Sequence, residues 1–117
     1  MEKKEKYQIS SSVDDEIIEI ILTGEFIESD VEELQNKVAD IIEAKGLTNV
    51  LVDIRTFNGR ASIISPRLKV NVAVVDRPEN AAVISYLDTT ALNAGWLLKC
   101  FTDIDKARTW LKSKQSK

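Results

Sequence analysis

The alternation of apolar and polar residues near the start of the chain predicts two strands. From Tyr7 to Val13 apolar and polar residues alternate with a period of two, as in a strand with one buried face. Asp14-Asp15 is typical of a turn, and the isoleucine-rich segment 16–23 follows it. The two segments are therefore predicted to form an antiparallel hairpin.

The next apolar residues recur every three or four positions, which is the period of an α-helix. Ser29 stands three residues before Glu32, the spacing of a capping box. Lys45 falls in the predicted last turn, and Gly46 suits the position after it. The pattern predicts a helix over residues 30–45.

Two short segments, 49–54 and 69–76, are dominated by valine, isoleucine and leucine, as in parallel strands covered on both faces. Pro78 favours the start of a second long helix that reaches about Asn93. A final strand is predicted over 96–101.

A last helix follows this strand, with Thr102 or Asp103 as its cap. Its inward side would consist of Ile104, Ala107, Trp110 and Leu111.

Alternating strands and helices predict an α/β domain with right-handed crossovers. We expect a mixed, mainly parallel sheet of about five strands, with an N-terminal hairpin and three to four helices. One of these would be a short helix before the fourth strand, limited by Pro66. The whole chain, 1–117, is predicted to be one domain with flexible ends at about 1–5 and 113–117.

Composition narrows the possible functions. The net charge of −3 does not favour nucleic-acid binding, and the absence of histidine removes the usual acid–base group and the commonest zinc ligand. Cys100 is the single cysteine and has no intramolecular disulfide partner. No apolar run is long enough to span a membrane. We expect a cytoplasmic protein that is not an enzyme and has no metal or cofactor.

Four of the five arginines follow the predicted central strands, where ligands and partners tend to meet a parallel sheet. Guanidinium groups suit carboxylate or phosphate recognition, so an anion or an acidic protein surface is one interpretation. The other is that they are solvated charges paired with neighbouring acids. The candidate binding residues are Arg55, Asn58, Arg60, Arg67 and Arg77.

Asp53 and Asp76 end neighbouring predicted strands, so their carboxylates could act as an acid and a base, or could bind a cation. Capping of the following turns is the favoured interpretation, since no histidine or nucleophile accompanies them. The dispersed glycines form no dinucleotide or phosphate loop. Alternation also places Cys100 and Lys99 on opposite faces, which favours an inert thiol.

Two stretches resemble the STAS domains, the anti-sigma factor antagonist family. Leu22-Thr-Gly-Glu-Phe-Ile-Glu-Ser-Asp-Val-Glu-Glu-Leu34, followed by Val50-Leu-Val-Asp-Ile54, resembles the strand–helix–strand core of that family. The ending from Asn93 to Leu111, with Phe-x-Asp and Ala-x-x-Trp-Leu, is similar to the bacterial SpoIIAA-like branch. The resemblance implies a small regulatory or binding module.

The family's mechanism uses a serine in an Asp-Ser-Ser/Thr-Gly motif, which a partner kinase phosphorylates. The corresponding loop here, residues 57–62, reads Phe-Asn-Gly-Arg-Ala-Ser and has no Asp-Ser pair. The motif's phosphoacceptor therefore cannot be carried over, although Ser62 is a nearby hydroxyl and a possible phosphosite.

Two functions remain open at this point. The chain could be a protein-interaction module, or it could bind a small lipid-like or anionic ligand. An apolar pocket for such a ligand would be lined by Phe57, Ile63, Ile64 and Trp96. Residues 1–45 carry a net charge of −8 and residues 46–117 a net charge of +5, so two copies could also pair head to tail as a homodimer. The other interpretation is that the charge division reflects solvated faces only.

Overall fold

The computed structural model describes residues 7–25, 31–58, 69–77, 90–93 and 96–114. These residues form six strands and two helices. The elements are β1 (Tyr7–Asp14), β2 (Ile17–Glu25), α1 (Val31–Lys45), β3 (Asn49–Asn58), β4 (Asn71–Val75), β5 (Thr90–Asn93), β6 (Trp96–Phe101) and α2 (Ile104–Lys112).

All six strands belong to one mixed sheet with the order β1-β2-β3-β4-β6-β5. The three inner pairings, β2–β3, β3–β4 and β4–β6, are parallel, and the edge pairings β1–β2 and β5–β6 are antiparallel. The α/β class and the N-terminal hairpin with its first strand at an edge are confirmed. The parallel pairings are confined to the middle of the sheet, and β5 is a strand that the sequence pattern did not predict.

Apolar residues on the two faces of the sheet form two separate cores. Alternate residues of β2, β3 and β4 pack with α1 through Leu34, Val38 and Ile42. The intervening strand residues pack with α2 through Ala107 and Leu111. The second core consists of Ile17, Leu51, Ala73, Val75, Ala107 and Leu111, with Phe101, Ile104 and Trp110 partly buried against it. The predicted inward side of the last helix is confirmed.

The hairpin turn lies one residue later than predicted. Asp14 pairs with Ile17, so the turn consists of Asp15 and Glu16, whose φ angles are 56° and 64°. Two positive φ values match the type I′ turn, whose twist suits a two-residue hairpin. The alternation of β1 therefore continues through Asp14, and a glutamate occupies a left-handed position that favours glycine.

The prediction of a second long helix is wrong for its last residues. Thr90–Asn93 is a strand that pairs with β6, and Asn93 lies opposite Trp96. Only Ala94 and Gly95 separate these two residues in the sequence. A two-residue connection containing glycine is typical of hairpins, which explains why this segment joins the sheet edge. The rest of the predicted helix, 78–89, lies outside the described residues.

The ends of the two helices follow the predicted capping. Gly46 after α1 has a φ of 71°, and its N–H donates to the carbonyl of Ile42 at 3.2 Å. Asp103 caps α2 because its carboxylate accepts hydrogen bonds from the N–H groups of Asp105 and Lys106, at 2.8 and 3.3 Å.

Cys100 packs partly buried against the α1-side core. Lys99 lies over the ring of Phe101, on the α2 side. The predicted separation of the cysteine from the lysine is therefore confirmed.

A chain of amide hydrogen bonds connects the start of the parallel strands to α2. The N–H of Leu97 donates to Oδ1 of Asn71, whose Nδ2 donates to Oδ1 of Asn49 at 3.4 Å. Nδ2 of Asn49 donates to the carbonyl of Leu111 at 3.2 Å. Both asparagines are buried, so these bonds satisfy polar groups that have no access to water.

Several predictions concern residues outside the described ranges. These are the Ser29 cap, the short helix before β4, and all of the predicted flexible ends except residues 113 and 114. Two of the expected three to four helices are described. Neither of these two is long and apolar enough to cross a membrane.

Candidate interaction site at the carboxyl end of β3

A β-bulge lies at Arg55, two residues beyond the last pair that joins β3 to β4. Ile21 lies opposite Asp53, but Thr23 lies opposite Thr56, so β3 has one residue more than β2 across this interval. Such a bulge interrupts the ladder and changes the direction of a side chain. The predicted third strand ended at Ile54, whereas β3 continues to Asn58, so Arg55 and Asn58 belong to a strand and not to a loop.

Arg55 surrounds the carboxylate of Asp53 with three hydrogen bonds. Oδ1 accepts from the backbone N–H and from Nε of Arg55, at 3.1 and 3.0 Å, and Oδ2 accepts from Nη2 at 2.8 Å. The Asp53 side chain is 12% exposed and that of Arg55 is 42% exposed. The pair is a side-on fork, which leaves Nη1 and its two donors outside the ion pair.

This geometry determines the protonation of Asp53. Burial acts to raise the pKa of the carboxyl, but the hydrogen bonds and the charge of Arg55, with a contribution from Arg108, hold that pKa below its usual value. The same pairing raises the pKa of Arg55. Asp53 is therefore a carboxylate that orients a cation, which differs from the neutral acid that general acid catalysis needs.

A second ion pair lies on the same face of the sheet. Nε and Nη2 of Arg108 donate to the two carboxylate oxygens of Glu19, at 2.8 and 3.1 Å. The Glu19 side chain is 13% exposed, and pairing with it raises the pKa of Arg108. The pair connects α2 to β2, and Arg108 lies close enough to Asp53 to lower the pKa of that group.

Glu19, Asp53, Arg55 and Arg108 together form what we call the charge cluster. Sequence reasoning did not identify Glu19 or Arg108. A signal was available for Glu19, because it interrupts the apolar run 17–22, and a charge within a buried strand requires a partner. Nothing local to Arg108 marked it as that partner, since the two residues are 89 positions apart.

The second candidate strand end contains Asp76 and Arg77. Both follow β4, and the N–H of Asp76 donates to the carbonyl of Phe101 at 2.8 Å. The carboxylate of Asp76 accepts a hydrogen bond of 2.7 Å from the N–H of Arg77, as the turn-capping interpretation predicts. Of the two carboxylates, Asp53 accepts from Arg55, whereas Asp76 accepts from the N–H of Arg77. In the described part of the chain, no group of three or more acidic or thiol side chains is placed to bind a metal.

The other predicted site residues have different positions. Phe57 is buried within the α1-side core, and Asn58 is the last residue of β3, opposite Glu25. Trp96 begins β6. Arg60, Ser62, Ile63, Ile64 and Arg67 lie outside the described residues. The structure thus places Arg55 and Arg77 each two residues beyond the last β3–β4 pair, Asp53 opposite Val75. The predicted apolar pocket remains a prediction.

Two solved structures are similar to this chain over nearly its full length. The crystal structure of an anti-sigma factor antagonist from Mycobacterium paratuberculosis matches with a TM-score of 0.61 and 14% identity, covering 91% of this chain and 94% of that one. An uncharacterised DUF3478-family protein with a SpoIIAA-like fold, from Shewanella loihica PV-4, matches with a TM-score of 0.51 and 15% identity, covering 95% and 98%. No family model and no curated protein matches the sequence. The chain therefore has the SpoIIAA-like fold that its sequence resemblance to STAS domains implied.

Proposed function

We propose that this chain is a non-enzymatic regulatory module that binds a partner protein through the carboxyl end of β3 and β4. The observation that carries the proposal is the orientation of Arg55, which Asp53 holds while 42% of its side chain stays exposed. A guanidinium fixed in this way loses less conformational entropy when it binds a carboxylate. Arg77 at the adjacent strand end, and Arg60 and Arg67 between them in sequence, add to the positive charge.

The likeness to an anti-sigma factor antagonist supports a regulatory role over a catalytic one. The proposed partner surface is acidic, because the arginines provide donors and no acceptors. We propose that recognition does not require the family's phosphoserine motif, which the sequence lacks at residues 57–62. Phosphorylation of Ser62 in the native host would indicate that this residue, outside the family's motif, is the switch.

The first experiment identifies the partner. The protein is purified from its native host and measured by mass spectrometry under native and denaturing conditions. A co-purified protein supports the proposal, and the denatured mass reports any phosphate. A bound small molecule without a protein partner would favour the ligand-binding alternative.

The second experiment tests the surface with two variants of equal charge. Arg55→Ala with Arg60→Ala removes two positive charges from the proposed surface. Lys45→Ala with Lys69→Ala removes two exposed charges near the amino ends of β3 and β4. Each variant is titrated with the identified partner at low and high salt.

We expect the arginine variant to weaken binding by about tenfold or more at low salt and by less at high salt, where charges are screened. The lysine variant should bind like the wild type. Equal affinities for the wild type and the arginine variant at both salt concentrations would contradict the proposal.

A further inference from the structure

β1 is an outer strand that is well suited to pair with another strand. Among the described strands it pairs only with β2, in continuous register from Tyr7 opposite Gly24 to Asp14 opposite Ile17. Edge strands that avoid association usually carry a proline, a bulge or a charged side chain. Residues 7–13 contain no proline, glycine or charged residue, and the register has no bulge.

The hairpin geometry identifies the backbone groups on the outer side of β1. In a two-residue hairpin the pair that closes the turn, here Asp14 and Ile17, exchanges hydrogen bonds, and every second pair does the same. Ser12 and Ser10 therefore direct their N–H and C=O groups toward β2. The residues that direct these groups away from β2 are Tyr7, Ile9, Ser11 and Val13.

An exposed apolar side chain and a groove lie at opposite ends of one side-chain row of β1. On the α1 side, Val13 is 46% exposed, although it is apolar. At the other end of the same row, Tyr7 and Ile9 border a groove of about 340 Å³, together with Lys37, Asp40 and Ile41. Antiparallel pairing of two copies, centred on Ser10, would place each Val13 opposite the partner's Tyr7, beside this groove.

The charges flanking β1 favour the same register. Lys6 stands four positions before Ser10 in the sequence, and Asp14 stands four positions after it. In sequence register, pairing centred on Ser10 sets position 6, a lysine, against the partner's Asp14. A parallel arrangement would instead bring like charges together.

We infer that this protein forms a two-fold symmetric dimer in which β1 pairs with β1 of a second copy, antiparallel and centred on Ser10. The dimer joins two sheets into one and covers Val13 and the groove. It uses the edge of the sheet, whereas the proposed partner surface uses the carboxyl ends of β3 and β4. The inference thus goes beyond the proposed function and does not depend on it.

Cysteine cross-linking tests both the interface and its register. In the proposed dimer the two Ser10 residues form a non-hydrogen-bonded pair, with Cα atoms about 4.5 Å apart, within the range that a disulfide spans. Ser12 is exposed on the same face, but it would lie opposite the partner's Gln8. The two Ser12 residues would then be roughly 14 Å apart. Both variants are made with Cys100→Ser, so that the introduced thiol is the only one.

We expect Ser10→Cys to form a covalent dimer under mild oxidation, and Ser12→Cys to remain largely uncross-linked at the same protein concentration. Equal cross-linking of the two variants, or none at Ser10, would overturn the proposed register. These exposed serine positions allow the substitution without disturbing the core, and circular dichroism checks the fold of each variant.

Sedimentation equilibrium of the unmodified chain tests the association itself. The wild type should be a concentration-dependent dimer, and Ser11→Pro should raise the dissociation constant by about tenfold or more, because proline removes an outward N–H. A wild type that stays monomeric at about 100 μM would overturn the inference, because a dimer with a dissociation constant at or below that concentration would be substantially populated. In that case an extended segment of another protein becomes the candidate occupant of the edge.

Discussion

Truncating Leu111 should destabilise the fold more than truncating Trp110, although tryptophan is much the larger side chain. Leu111 is 0% exposed and packs among Ile17, Leu51 and Val75 in the α2-side core. A leucine in such a site cannot be removed without leaving a cavity. Leu111→Ala should therefore cost about 2 to 5 kcal/mol of the free energy of unfolding.

Trp110 has a different environment. It is only partly buried, its ring centroid lies 5.8 Å from that of Phe101, and Lys114 lies over its outer side. An aromatic pair of this kind contributes about 0.5 to 1.5 kcal/mol beyond burial of area. Because solvent already reaches part of the ring, no closed cavity forms, and Trp110→Ala should cost about 1 to 3 kcal/mol.

The measurement is urea unfolding followed by circular dichroism, because substitution of Trp110 removes a fluorescence probe. Lys106→Ala, at an exposed position of α2, is the control and should change stability by less than about 0.5 kcal/mol. The dependence of the unfolding free energy on urea should be the same in all variants. A cost for Trp110→Ala equal to or above that for Leu111→Ala would refute the packing argument.

Three further predictions concern the turn, the charge cluster and the buried amides. Glu16→Gly should stabilise the protein by about 0.5 to 1 kcal/mol, because glycine adopts the positive φ without the steric cost of a side chain; a lower urea midpoint would contradict this. Arg55→Ala should raise the pKa of Asp53, because it removes the side-chain hydrogen bonds and the charge of Arg55 that oppose burial, while the backbone N–H of residue 55 remains as a donor. Asp53 has a lowered pKa in the folded wild type, so it stabilises the fold above its unfolded pKa and loses this contribution as the pH falls through its folded pKa. The variant should lose this contribution at a higher pH. Carboxyl NMR titration measures the pKa of Asp53, and acid unfolding measures the pH dependence of stability. An unchanged titration of Asp53 would refute the role assigned to Arg55. Asn49→Ala should cost about 1 to 3 kcal/mol, since it removes two buried hydrogen bonds, one of them with Asn71; a urea midpoint equal to that of the wild type would exclude this role.

The periodic elements could be predicted from sequence because each carries its own local signal. The apolar spacing in α1 and the apolar segments of β3 and β4 correspond to buried faces in the structure. β5 has only four residues, too few to display a period, and its identity as a strand depends on pairing with β6. The turn at Asp15 and Glu16 lies one residue from its predicted position for a related reason. Neither residue is the glycine that usually marks such a turn.

The candidate site was only partly predictable, because its central contacts join distant parts of the chain. The proximity of Arg55 to Asp53 is local and was one of the interpretations of the sequence. The β-bulge that redirects Arg55 depends on the register between β2 and β3, which no residue type encodes. The pairing of Arg108 with Glu19 exists only because α2 packs across β3 and β4.

The charge cluster is better explained by positioning than by stability. Bringing a carboxylate into a site as enclosed as that of Asp53 costs desolvation energy, and the hydrogen bonds and charge of Arg55, with a contribution from Arg108, outweigh this cost and keep the pKa of the carboxyl lowered. Replacing a buried ion pair by well-packed apolar residues is often neutral or stabilising, so stability alone does not require an ion pair here. What the ion pair provides, and an apolar pair does not, is a cation held in one orientation beside the end of a parallel strand. This favours recognition of an acidic surface as the role of Arg55.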